Sequence, residues 1–232
     1  SGANPRRGCI LSGWTCLSMV LTRSFLASGV AIRYPVAAVE STKHMCQMNE
    51  LLSQKFFPFI VRPGRYSGGE IGQVVKEPTG RLSYLHCYPD KYELGHSYMG
   101  LQILYHLVNA DDRFLCERAF AIDRDAEEVM RREKIPLFSL ESRRPAGQFD
   151  AIGFTLVDET VYTNMLNMID LAGIPLRSID RSDSDPLIMA GGPSVYNPEP
   201  IAAFVDLFFI GDAEEGLLEI LTLLRELRDQ PR

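Results

Sequence analysis

From Leu82 onward the chain alternates short apolar runs with stretches of helical spacing, and no other property limits its fold as strongly. Residues 82–88 read as a strand. Leu101, Leu104, Tyr105 and Val108 then recur at i, i+3, i+4 and i+7, the mark of an amphipathic helix that Asn109, Asp111 and Asp112 bring to an end. A second strand is expected over residues 115–122, followed by a short helix opened by Asp125 with Glu128 three residues on, a capping-box pattern. A third strand is expected over 149–157, and Tyr162, Met165, Leu166 and Ile169 return to helical spacing until Gly173 and Pro175. Residues 186–190 form a fourth strand ending in Gly191-Gly192, and 205–210 a fifth ending in Gly211-Asp212. A last helix starts near Glu214 and Glu215, whose charges suit a helix N-terminus, and carries Leu217, Leu218, Leu221 and Leu224 on one side. Strands that alternate with helices need crossover connections, which give a parallel sheet covered on both faces. Such sheets bind ligands outside the carboxyl ends of their strands, where the strand order reverses. That rule selects three loops: 90–95, 155–159 and 191–197.

Composition narrows the function classes. The chain has 232 residues, 46% hydrophobic and 23% charged, enough for one ordinary soluble domain with appended segments. A net charge of -6 argues against a nucleic-acid binder, which needs a concentrated basic stripe; Arg131, Arg132 and Lys134, like Arg143 and Arg144, are short solvated clusters. Cys9, Cys16, Cys46, Cys87 and Cys116 are scattered and odd in number, without the close pairs of zinc or iron-sulfur sites, and read as reduced cytosolic thiols. Neither GxGxxG nor GxxxxGKS occurs, which disfavours a nucleotide- or flavin-binding domain. There is no internal repeat and no low-complexity tract.

The first part of the chain reads differently. Ser1 is not Met, and Arg6-Arg7 precede an apolar stretch too short and too interrupted to span a bilayer. That stretch fits a targeting peptide or non-native sequence, and Met48-Asn49-Glu50-Leu51-Leu52 looks like a protein start. Residues 1–47 are therefore expected to be a tail, non-native or disordered. Residues 48–80, with Pro58, Pro63, Gly64, Gly68, Gly69 and Gly72, are expected to be an extended arm, and residues 81–227 the folded domain.

The first strand runs into its helix through Tyr88-Pro89-Asp90-Lys91-Tyr92-Glu93-Leu94-Gly95, a DxYxxG pattern. Taken alone, Asp90 and Gly95 serve equally as an N-cap and a turn glycine, Tyr92 as a packing aromatic, and Thr155 as a turn cap. Gly191-Gly192 either turns the backbone before Pro193 or leaves a small-residue hole at a strand's end. His86 falls within the first strand and His96 beside the loop. Glu141, Asp158 and Glu159 supply carboxylates, but no His, Lys or metal pattern completes an acid-base mechanism around them.

Together these stretches resemble the cobalamin-binding-like domain at the front of many radical SAM proteins, closest to a bacterial family of B12-binding-domain radical SAM proteins. The resemblance rests on Arg65-Tyr66-Ser67-Gly68-Gly69-Glu70, the DxYxxG run, Leu101-Gln102-Ile103-Leu104-Tyr105, LFSLESRR from Leu137, LAGIPL from Leu171, Ala190-Gly191-Gly192-Pro193, Asn197-Pro198-Glu199-Pro200 and IGDAEE from Ile210. In cobalamin domains the pattern is DxHxxG, SxL and GG, which the resemblance maps onto Asp90, Tyr92 and Gly95, then Thr155 and Val157, then Gly191 and Gly192. Tyr92 stands in place of the histidine beneath cobalt, and a neutral phenol is a poor ligand beside imidazole. The resemblance thus implies cobalamin held base-off. The CxxxCxxC triad of radical SAM enzymes is absent from these residues, so SAM and the 4Fe-4S cluster are expected in a missing C-terminal part, with residues 228–232 starting a linker to it.

The expectation is a flavodoxin-like, Rossmann-like three-layer α/β domain with a five-stranded, mainly parallel sheet, cytoplasmic and without catalytic or metal-ligating residues of its own. Its expected partner is the radical SAM barrel domain of the same protein. The alternative is a degenerate Rossmann-like scaffold or interaction domain that no longer binds cobalamin, which side chains of Tyr92, Tyr98 or Tyr196 filling the crevice would indicate.

Overall fold

The computed structural model describes residues 19–21 and 41–229, with side chains from 48 to 227; most of the expected tail and the end of the expected linker lie outside these residues. Five parallel strands form the sheet: β2 (Leu82–Tyr88), β3 (Phe114–Phe120), β4 (Ala151–Thr155), β5 (Leu187–Gly191) and β6 (Leu207–Phe209). A three-residue strand, β1 (Met19–Leu21), adds antiparallel to β6, giving the order β1-β6-β5-β4-β2-β3. The helices are α1 (Ser41–Lys55), α2 (Tyr92–Ser97), α3 (Met99–Ala110), α4 (Arg124–Glu133), α5 (Tyr162–Leu171) and α6 (Ala213–Asp229). The first parallel strand in sequence, β2, lies between β3 and β4, so the strand order reverses at the β2/β4 boundary. This is the doubly wound flavodoxin-like arrangement.

Every residue of β2, β3 and β4 is buried, as a sheet covered on both faces requires. Tyr84, Cys116, Ala151, Met189 and Phe209 meet Tyr105 and Val108 of α3 and Leu217, Ile220 and Leu221 of α6. On the opposite face Leu85, Ile152, Phe154, Ile188 and Phe208 meet Met165, Met168 and Ile169 of α5. Beside α5 lies α4, joined to it by Arg131, which donates to Asp170 at 2.8 Å and to Asn167 at 2.7 Å. A satellite cluster packs Met48 and Leu52 of α1 with Phe56, Tyr66, Val129, Met130 and Phe138. No helix among the described residues is long and apolar enough to cross a membrane.

Three local readings differ from the structure. The capping box at Asp125 and Glu128 does not form: α4 starts at Arg124 behind Asp123, whose side chain does not cap it. Its carboxylates are used elsewhere, since Asp123 pairs with Arg65 and Asp125 accepts the N–H of Val61 at 2.7 Å. The run 92–95, read as loop, is helical within α2. Finally, α1 passes straight through Met48, because Met48 and Leu52 lie one turn apart on its buried side.

Between 56 and 80 the chain contains only single 3-10 turns, and polar bonds fasten it across the α3/β3 side of the sheet. Arg65 pairs with Glu93 at 2.7 Å and with Asp123, and the Tyr66 hydroxyl accepts the N–H of Asp123 at 2.9 Å. Val74 N–H donates to the Tyr105 hydroxyl at 2.7 Å. Lys76 Nζ donates to the carbonyls of Asn109, Asp111 and Phe114 at 2.6, 3.2 and 3.2 Å, satisfying groups that the end of α3 leaves open.

Candidate functional site

The carboxyl ends of the strands set the site. In the parallel register Tyr88 pairs with Phe120, Thr155 with Gly191, and Ala190 with Phe208. Thr155 Oγ1 lies 2.8 Å from His86 Nε2, so both side chains point to the face covered by α3 and α6. Thr155 and Gly191 therefore form a floor of small residues at the ends of two central strands, flanked by Tyr88 on one side and Phe209 on the other. A Cβ at Gly191 would meet the Phe209 carbonyl oxygen at 3.8 Å, an ordinary van der Waals contact, so this residue has room for a methyl group.

The other glycines of the expected site are close-packed. A Cβ on Gly95 would lie 2.5 Å from the Phe120 ring and 2.9 Å from Tyr88, so this glycine lets α2 settle on those two rings. Gly192 has φ +101°, and a Cβ there would lie 2.7 Å from the Leu156 carbonyl oxygen. Bonds from Leu156 N–H to Gly191 at 2.8 Å and from Ser194 N–H to Leu156 at 3.1 Å lock the turn to the loop after β4. The two halves of Gly191-Gly192 thus do different things: Gly192 holds the turn, and Gly191 leaves room.

The loop after β2 is tied down. Asp90 accepts its neighbour's N–H, from Lys91 at 2.7 Å, and does not cap α2. Asn164 of α5 donates to the Pro89 carbonyl at 3.0 Å, joining the β2 loop to the helix that follows β4. The Tyr92 ring is half-buried, stacked on His96 with centroids 5.2 Å apart, and edge-on to Phe120 at 5.3 Å. Its hydroxyl donates to Glu70 of the arm. Burial, and then that bond to a carboxylate, push the Tyr92 phenol up to about 12. Tyr92, Tyr98 and Val157 pack against Tyr88, Leu101, Phe120 and Leu140, whereas Tyr196 is exposed.

Next to this loop lies an ionic cluster that the sequence reading did not assemble. Arg118 of β3 pairs with Glu141 at 2.7 Å and with Glu70 at 2.6 Å, and its guanidinium lies 4.4 Å from the Tyr105 ring centroid. Its side chain is 2% exposed, Glu141's 0% and Glu70's 14%. Glu141 also accepts the N–H of Arg118 at 2.7 Å. Burial pushes the Glu141 carboxyl up to about 7 against the opposing pull of Arg118. His86, facing this cluster from β2, is driven down to about 4 by burial and then by Arg118, so it is neutral. The available signal was Glu117-Arg118 inside the otherwise apolar strand Phe114–Phe120, since charges are not buried without partners.

Tested against a corrin, the residues divide. The loop position that the resemblance maps to the cobalt-binding histidine is held by a phenol bonded to Glu70, whose chemistry does not fit a cobalt ligand. Thr155 and Gly191 present only small groups at these strand ends, with apolar, half-buried Val157 packed against Tyr88, a surface compatible with close approach of an apolar group. Among the described residues no cluster of His, Cys, Asp and Glu could hold a metal ion.

A family model described as "Radical SAM proteins, N-terminal" matches residues 100–232, which take in the Thr155 and Gly191 floor, Arg118 and Glu141. No curated protein matches the chain.

Proposed function

From its membership of the radical SAM N-terminal family, to which the chain belongs, we propose that it is a non-catalytic, cobalamin-binding-like domain of a radical SAM protein. The SAM and iron-sulfur chemistry is assigned to a barrel domain outside these residues, which contain no CxxxCxxC triad. The observation that carries the reading is the small-residue floor of Thr155 and Gly191 between Tyr88 and Phe209, at the strand ends beside the reversal point. When bound, cobalamin would supply a carrier for a methyl group or tune radical chemistry. The chain's own part is to seat and shield it. Thr155 and Gly191 give the floor, Val157 an apolar wall, Gly192 the turn after it, and Asp90, Tyr92 and Gly95 the adjoining loop, with no side-chain ligand to the metal. The proposed setting is the cytoplasm, consistent with the free, buried thiols of Cys87 and Cys116.

A second reading, a degenerate scaffold that supports the barrel without cobalamin, is favoured by one observation: the Tyr92–Glu70 bond fastens the loop to the arm. Titration of the whole chain with hydroxocobalamin, followed by gel filtration, separates the two. Retained cofactor with a base-off spectrum, lost in Gly191→Leu, is the expected result. A folded wild-type protein that elutes colourless supports the scaffold.

A further inference from the structure

The arm is joined to the domain by a carboxylate in an unusual position. Glu70 reaches from the arm to Arg118, already paired with Glu141, and also accepts from Tyr92. One buried guanidinium thus serves two carboxylates, and a third, Glu117, stands nearby, accepting from Ser142 Oγ at 2.6 Å. An ionised Glu141 adds negative charge to this cluster in a medium that screens it poorly. The titratable and charged groups facing Glu141 and Arg118 are Cys116 and Glu117 from β3, His86 from β2, Tyr105 from α3, and Glu70 from the arm, with Tyr92 and His96 of α2 behind Glu70. Arg143 lies over Phe57 and bonds Asn49, and Arg144 lies over Phe149.

We propose that residues 62–76 form a proton-sensitive strap, latched through Glu70 to Arg118, that tightens when Glu141 holds a proton and loosens when Glu141 is ionised. A protonated Glu141 leaves Glu70 as the undivided counter-charge of Arg118. An ionised Glu141 competes for the same guanidinium and repels Glu70. Glu70 is the carboxylate that gives way, because it is the more exposed of the two and sits on a segment without regular structure. When the strap lifts, the Tyr92 hydroxyl is freed, so the state of the strap governs the side of the site formed by the β2 loop. Burial places the Glu141 transition near 7, where a modest change in proton concentration moves the latch.

The test is hydrogen exchange on the whole chain at pH 6 and pH 8.5, with rates corrected for intrinsic chemistry. The Val74 amide, bonded to the Tyr105 hydroxyl, reports the strap, and Ile152 in β4 reports the sheet. Expected is about a tenfold loss of Val74 protection relative to Ile152 at the higher pH, equivalent to a shift of one pKa unit. Glu141→Gln, which keeps hydrogen-bonding capacity without ionising, is expected to hold Val74 protected at both values, and Glu70→Gln to leave it weakly protected at both. Equal wild-type protection at the two pH values overturns the proposal, as does the same step persisting in Glu141→Gln. The wild-type series needs no variant to fold, and it is independent of whether cobalamin is retained.

Discussion

At the scale of single residues, the chemistry of this domain turns on which small or polar side chains are free and which are committed. Gly192 is committed by its backbone: at φ +101° a side chain is strained, and its Cβ would meet the Leu156 carbonyl oxygen. Gly192→Ala is expected to cost about 1–3 kcal/mol in urea denaturation. Gly191, one residue earlier, has room, so Gly191→Ala should leave stability within about 0.5 kcal/mol of wild type, the usual span for substitutions that disturb no packed group. His86 is committed by burial. Its folded value is lowered to about 4 from the ordinary 6.5, so the stability it confers is complete above pH 6.5 and is lost as pH falls toward 4, where the unfolded chain takes up a proton the folded one refuses. Urea midpoints should therefore drop over that window. The drop should be smaller in His86→Gln, whose amide can still bond Thr155; an undiminished drop would assign the acid sensitivity to another group.

At the scale of elements, the arm is the part whose behaviour composition describes least well. Between 56 and 80, where proline and glycine are frequent, it contains no α-helix or strand. What composition does not convey is how many backbone groups it satisfies for the domain. Lys76 closes three carbonyls at the α3/β3 junction, where a cation also suits the negative end of a helix. Lys76→Met keeps the stem and removes the donors. It is expected to cost about 1–3 kcal/mol, the penalty for leaving partly buried acceptors unpaired. A loss of protection at the Asn109 and Val108 amides near the end of α3 would locate the effect, whereas an unchanged denaturation midpoint would mean that water replaces the ammonium. Arm residues likewise explain why α4 lacks its expected capping box: Arg65 and the Val61 N–H take the carboxylates of Asp123 and Asp125 before the helix can use them.

At the scale of the whole molecule, the alternation of apolar runs with helical spacing was enough to predict a parallel, doubly covered sheet, because period and crossover geometry are local properties that tertiary packing cannot reverse. The predicted strand cores stand within a few residues of β2 to β6, and the three loops chosen from strand ends do lie at the sheet's carboxyl edge. Radical SAM kinship was legible too, carried by several motifs in order and matched by the family model over 100–232. For the candidate site, the loops could be chosen from the strand pattern but not the state of their side chains. No pattern distinguishes a Gly191 with room for a methyl group from a Gly192 pressed on a carbonyl, since adjacent residues point to different surroundings. Nor could spacing reveal that Tyr92 is bonded to Glu70, 22 positions away, or that Glu70, Arg118 and Glu141 meet. Sequence by itself determined the layers, the strand ends and the class of protein, through interactions among near neighbours. Only the tertiary structure decided which of those loop residues are occupied, because burial and ionic pairing arise between segments distant in the chain.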